Sequence, residues 1–139
     1  MNFIDRGDLA SADLDLITIP NFDDGNLHTV DITDYLPETA KASSNKAVLI
    51  RLSIDAKSDL QGSQLRTVVS QDGDVNGFNA SELDIDATLS DGGGSFYAEG
   101  EDTMLIHCNA DNKIQFSIST PGGGFKIGEA LLIVKGVFV

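Results

Sequence analysis

Turn-forming clusters divide this chain at short intervals, and no stretch between them keeps a helical period. N-F-D-D-G-N (21–26), Q-D-G-D-V-N-G-F-N (71–79), D-G-G-G (91–94), N-A-D-N (109–112) and P-G-G-G (121–124) supply the Gly, Asn, Asp and Pro that tight turns need. The segments they bound alternate apolar and polar residues with period two, as half-buried strands do. Leu83, Ile85, Ala87 and Leu89 share one parity, with Asp84, Asp86 and Thr88 on the other. Ile114, Phe116 and Ile118 repeat the rule. About nine short strands, with turn signals spaced roughly 8 to 12 residues apart, mark a sandwich or barrel. The expected fold is all-β: one jelly-roll-like β-sandwich of short antiparallel strands over residues 1–139, with residues 1–11 as an extended arm.

The stretch 46–54 (K-A-V-L-I-R-L-S-I) is the most apolar apart from the end of the chain. It is too short for an ordinary helix and rich in β-branched and aliphatic residues, so it reads as a central buried strand. Val48, Ile50 and Leu52 are expected to fill one face of the core. Arg51, a cation on a central strand of an acidic chain, is expected to pair with an acid inside the fold. Further strands are expected at 14–20, ended by Pro20, and at 27–32 as its hairpin partner. Others fall at 65–69, 83–89, 103–108, 113–119 and 130–139, with a short edge at 95–98 and a turn region over 55–62.

A chain of 139 residues can bury roughly two-thirds of its unfolded surface, so it folds without disulfides or metals. Its single cysteine, Cys108, has no internal partner. Twenty-two acidic and nine basic side chains give a net charge of −13. That opposes binding to nucleic acid, which rests on Lys and Arg at phosphates, and docking on anionic membranes. It favours solubility and a cationic partner. The first residues lack the basic start and apolar run of a secretory signal, and nothing approaches the ~20 apolar residues of a membrane span. The expectation is a soluble protein made in a cytoplasm. With no Trp and 6% aromatic residues, stacking surfaces for sugars are few.

The sharpest chemical motif is Asp72-Gly73-Asp74-Val75-Asn76-Gly77. It matches the first half of a calcium loop, where alternate oxygens wrap a hard cation, and makes Asp72, Asp74 and Asn76 the candidate metal ligands. The second half departs: the twelfth position is Leu83, with Glu82 one place early. Asp-Gly and Asn-Gly also build hairpin turns, which is the simpler reading. His107 and Cys108 are adjacent in a strand and point to opposite faces. Paired carboxylates follow from the acidic composition. The glycine triplets lack the Lys and Ser/Thr of a phosphate loop, and Arg6-Gly7-Asp8 reads as a turn. No catalytic or cofactor-binding residue is assigned, and no cofactor is expected.

Pro37, Ala40, Lys41 and Ala42, then Val48-Leu49-Ile50-Arg51-Leu52, are followed by Gly77, Asn79 and Ser81, by Ile114-Gln115-Phe116, and by Ile133-Val134-Lys135-Gly136. On these residues, with Arg6-Gly7-Asp8 near the start, the chain resembles a family of small all-β domains found in tailed-bacteriophage structural proteins. That pattern runs from a strand and Pro to A-K-A-V-L-L-R-V, through an Arg, Gly and Asn loop to N-V-S, and ends near I-x-V-K-G-W-W. Here residues 43–46 are inserted and the terminal aromatic pair is Val137-Phe138. The resemblance implies a non-enzymatic virion protein with no catalytic residues to carry over. Lacking coiled-coil heptads or repeats for a fibre shaft, the chain suits a capsid decoration or cement protein stabilising the head. The alternative is a receptor- or carbohydrate-binding tail-fibre tip using loops 72–79 and 91–94. The expected partners are the major capsid protein or other virion proteins, and further copies in a trimer. The expected interface is an arm that adds a strand to a neighbour, through Phe3, Ile4, Leu9, Leu14 and Leu16.

Overall fold

The computed structural model describes residues 2–7, 13–77, 79–120 and 124–139. Among these it places ten strands: β1 (Phe3–Asp5), β2 (Leu14–Asp15), β3 (His28–Asp31), β4 (Asn45–Ser58), β5 (Gln64–Gln71), β6 (Ala80–Asp86), β7 (Leu89–Ser90), β8 (Phe96–Asn109), β9 (Lys113–Ser119) and β10 (Phe125–Phe138). They form two antiparallel sheets. The large sheet runs β1-β10-β4-β8-β7, with β2 beside β1 along the same edge of β10, and the small sheet runs β3-β9-β5-β6. The pairs β5/β6, β4/β8, β3/β9 and β2/β10 are nested one outside another along the chain. A long hairpin rolled across two sheets in this way is a jelly roll.

Parity decides what each strand buries. On β4, Lys46, Val48, Ile50, Leu52, Ile54 and Ala56 face inward and all are buried. Leu65, Thr67 and Val69 of β5, with Ile114, Phe116 and Ile118 of β9, meet them from the small sheet. Val134 and Val137 are both buried although three residues apart. A bulge between Val134 and Gly136 resets the alternation, and another lies between Ile127 and Glu129.

Several expectations are corrected: Asp55–Ser58, expected as turn, continues β4, and 83–89 is divided between β6 and β7 in different sheets. Residues 14–20 are not one strand: Leu16–Thr18 forms a 3-10 turn, opened by the Asp15 carboxylate accepting the Ile17 N–H at 3.1 Å. Nor does 14–20 pair with 27–32, since β2 pairs β10 and β3 pairs β9. The segments 95–98 and 103–108 are one long strand, β8, beyond which only the two-residue β7 pairs. The charged stretch Glu99-Gly100-Glu101-Asp102 reads locally as a loop, yet it pairs along β4 throughout. Gly100 leaves room there for Ile85 of the facing sheet, whose Cδ1 would lie 3.0 Å from any added Cβ.

The expected arm is, at Phe3–Asp5, a strand of the chain's own sheet. Leu16 is fully buried, and Ile4 and Leu14 pack on the same core, because pairing with β10 turns them inward. Phe3 alone of the described interface residues points outward, 43% exposed, and Leu9 lies outside the described residues.

Candidate functional site on the large sheet

The outward residues of β10, β4 and β8 form rows fixed by register. At the Asn45 end stand Phe138-Ala47-His107 and Gly136-Leu49-Leu105, then Ile133-Arg51-Thr103. No acid occupies these rows. Leu105 is 52% exposed, and Phe3 packs across Gly136 with its ring 4.8 Å from that of Phe138. In a chain of charge −13 this is a partly apolar surface, with Arg51 in its third row and Asp5 of β1 opposite Gly136 at its edge. Its inner border is the Arg51–Glu101 ion pair. Arg51 therefore finds its acid, as expected, but on the solvent face.

The next rows are acidic: Leu131-Ser53-Glu101, then Glu129-Asp55-Glu99. A hydrogen bond to Asp55, partial loss of hydration and the charges of Asp55 and Asp15 push the Glu129 carboxyl above its usual range. The last row is Lys126-Lys57-Tyr97-Leu89. The Lys57 ammonium lies 4.7 Å from the Tyr97 ring centre and 3.6 Å from Asp91. Asp91 caps its own turn, accepting the Gly93 and Ser95 N–H groups at 2.7 and 3.1 Å, which with Lys57 holds its carboxyl below the usual range. A groove of about 300 Å³ opens between these rows.

The calcium candidates lie in a closed turn. Asp72 accepts the Thr29 hydroxyl at 3.0 Å, and Asp74 accepts the Asn79 N–H at 2.7 Å. Gly73 takes the left-handed backbone that the turn needs, with φ of 82°. Gln115, almost fully buried, donates to the Asp74 carbonyl at 2.7 Å and the Ser70 hydroxyl at 2.8 Å, and accepts from Gly73 N–H at 3.2 Å. Asn76 is exposed. Among the described residues no group of three or more His, Cys, Asp or Glu is placed to hold a metal ion.

Loops 72–79 and 91–94 sit at opposite ends of the sandwich. Gln71 pairs Ile114, close to the 109–112 turn and so to Asn45, whereas 91–94 leads into Phe96, which pairs Ser58. They cannot contact one small ligand together. His107 and Cys108 face opposite sides, as the alternation required. Burial pushes the Cys108 thiol up to about 11, which keeps it protonated and unreactive.

Two features carried little sequence signal. Leu105 sits between the buried Met104 and Ile106, and only the register shows which face it takes. Lys46 opens β4 facing inward, 2% exposed, and donates to the Ser43 carbonyl at 2.7 Å and the Lys41 carbonyl at 3.4 Å. Burial lowers its pKa. It closes the Asn45 end beneath the 41–45 loop, where Asn112 also donates to the Lys41 carbonyl at 3.1 Å.

No known protein-family model matches the chain, and no curated protein matches it.

Proposed function

We propose that this chain is a non-enzymatic structural protein of a tailed-phage virion surface, decorating the capsid and cementing the head. One observation carries the reading: two of the stretches on which the phage resemblance rests, 48–52 and 133–136, pair side by side in the large sheet, with Arg6 against the second. Ile133, Val134 and Gly136 pair Arg51, Ile50 and Leu49. The Arg6 N–H donates to the Lys135 carbonyl at 3.1 Å, and its guanidinium reaches the Val134 carbonyl at 3.4 Å and Asp13 at 3.1 Å. The outward residues of these two stretches, Leu49, Arg51, Ile133 and Gly136, lie on the part of the face where β4, β8 and β10 carry no acid.

The partner is the capsid shell, presenting apolar side chains ringed by basic ones to suit the acids around this patch. Binding only the assembled lattice, such a protein stabilises the shell by mass action. Trimers around lattice symmetry points fit the same geometry. Immunogold labelling of purified virions from the phage that encodes the chain tests the proposal. Label over the heads is expected. Label confined to tail tips would support the fibre-tip alternative, and virions without label would overturn both.

A further inference from the structure

We infer that the free edge of β8 takes up an extended basic segment of a protein partner as an added strand. In an antiparallel sheet the N–H and C=O of one residue point to the same neighbour, and the side alternates along the strand. The Thr88 N–H donates to the Tyr97 carbonyl at 3.2 Å, so the odd-numbered residues of β8 turn their backbone away from β4. β7 meets only Phe96 and Tyr97. From Glu99 to His107, roughly 30 Å at strand rise, the outward row of N–H and C=O groups meets no other strand among the described residues. Such a row matches the spacing of an extended peptide backbone. The opposite edge of the large sheet is covered, since β1 and β2 lie along β10.

Side chains set the charge of the partner. Glu99, Glu101 and Asp102 are exposed along this edge. Arg51 pairs Glu101, but Glu99 and Asp102 form no ion pair among the described residues, and Asp55 and Glu129 continue the row of Glu99. Lys57, one row nearer Ser58, is held by Asp91, and Lys126 stands on β10, two strands from the edge. Asp102 takes the inward parity, opposite Leu52, yet its carboxylate accepts the edge-facing Thr103 N–H at 2.8 Å. A charge so placed keeps off an acidic strand, including the β8 of a second copy. A lysine or arginine opposite Asp102 draws the carboxylate away and frees the Thr103 N–H for the ladder. Toward Asn109 the acids end and Leu105 stands exposed. The fitting strand therefore carries bases opposite 99–102 and an apolar side chain opposite Leu105. The free edge of the small sheet differs, because on β6 Glu82 and Asp84 are already held by Arg66.

Amide-resolved NMR titration of the full chain tests the inference. The probe is a heptapeptide blocked at both ends, Val-Val-Thr-Lys-Lys-Thr-Lys. Laid antiparallel, it sets lysines opposite Asp102, Glu101 and Glu99 and a valine opposite Leu105. One control replaces every Lys with Glu. The other keeps all side chains but is N-methylated at its third and fifth residues, whose N–H groups would face β8. The parent peptide, titrated into the millimolar range, is expected to shift the amides of Glu101, Thr103 and Leu105 saturably and to slow their hydrogen exchange. Neither control should do so. Glu99→Lys combined with Asp102→Lys, at exposed positions, should weaken the parent peptide about tenfold. Leu105→Pro removes an outward N–H that β4 does not use, and should block binding. If it lacks a native spectrum, the double lysine variant decides alone. Three results would overturn the site: the parent peptide leaves these amides unmoved, a control binds as well as the parent, or the variants bind as wild type does. The same amides shifting with the concentration of the chain itself would overturn it too, in favour of a second copy. None of these outcomes bears on where the protein sits in a virion, so this inference and the cement reading fail separately.

Discussion

Glu129 and Asp55 stand opposite each other on β10 and β4, and the nearness of the two carboxylates favours a proton on Glu129. The Glu129 pKa is raised in the folded state. The folded chain therefore binds that proton more tightly than the unfolded chain does. As pH rises from the usual glutamate value through the raised one, stability is lost. Glu129→Gln keeps a donor toward Asp55 and removes the repulsion. The variant is expected to melt above wild type at neutral pH, with the gap closing as pH falls through the raised value toward about 4.3. Thermal unfolding followed by circular dichroism across that range checks it. A gap that does not change with pH would mean the pair plays no part. The acidic composition announced that carboxylates would crowd somewhere, but only strand register selects Glu129 and Asp55 from 22 acids.

At the level of elements, β4 was readable because a strand buried along its length writes its parity into the sequence. Val48, Ile50 and Leu52 were identifiable from alternation alone, and each is fully buried. The same logic failed for β8, whose Glu99 and Glu101 are tolerated because the outer face there is solvent, while Asp102, opposite the inward Leu52, is itself exposed. It failed for 14–20 because a 3-10 turn held by Asp15 places Leu16 inward without strand pairing. β1 was unreadable for another reason. It pairs Gly136–Phe138, and the Phe3 ring lies over Gly136, a residue with no side chain to announce the contact. A Cβ at Gly136 would fall on that ring and 2.7 Å from the Ile4 carbonyl oxygen. Gly136→Ala should therefore destabilise by about 1–3 kcal/mol. Phe3→Ala alone should cost ~1 kcal/mol, because the ring is only partly buried. Urea titrations of both single variants and the double variant are expected to be sub-additive, since removing the ring removes part of the clash. Strict additivity would show that the ring does not rest on Gly136.

The whole molecule is a nested hairpin whose outermost layer comes from its two ends, so what the first residues do depends on the last strand. An arm reserved for a neighbour could be removed without loss of fold. The structure ties the described residues 2–7 and 13–20 into the chain's own sandwich unequally, and that inequality is measurable. β1 adds three residue pairs along the edge of β10 and little core. Leu14, Leu16, Ile17 and Ile19 pack on the core, with Leu16 fully buried. Losing a buried leucine side chain typically costs about 2–5 kcal/mol. That approaches the 5–15 kcal/mol by which whole domains are stable. A truncation lacking residues 1–13 should keep a cooperative melt at reduced temperature, with native-like strand content. A truncation lacking residues 1–20 should lose cooperativity or aggregate, because it also bares the edge of β10. Capsid binding is therefore better probed by point changes on the outer face. Leu105→Ser leaves the core intact and should abolish any docking through the apolar rows. If the longer truncation instead melts like wild type, the N-terminal segment is not part of this fold, and the arm returns as the better description.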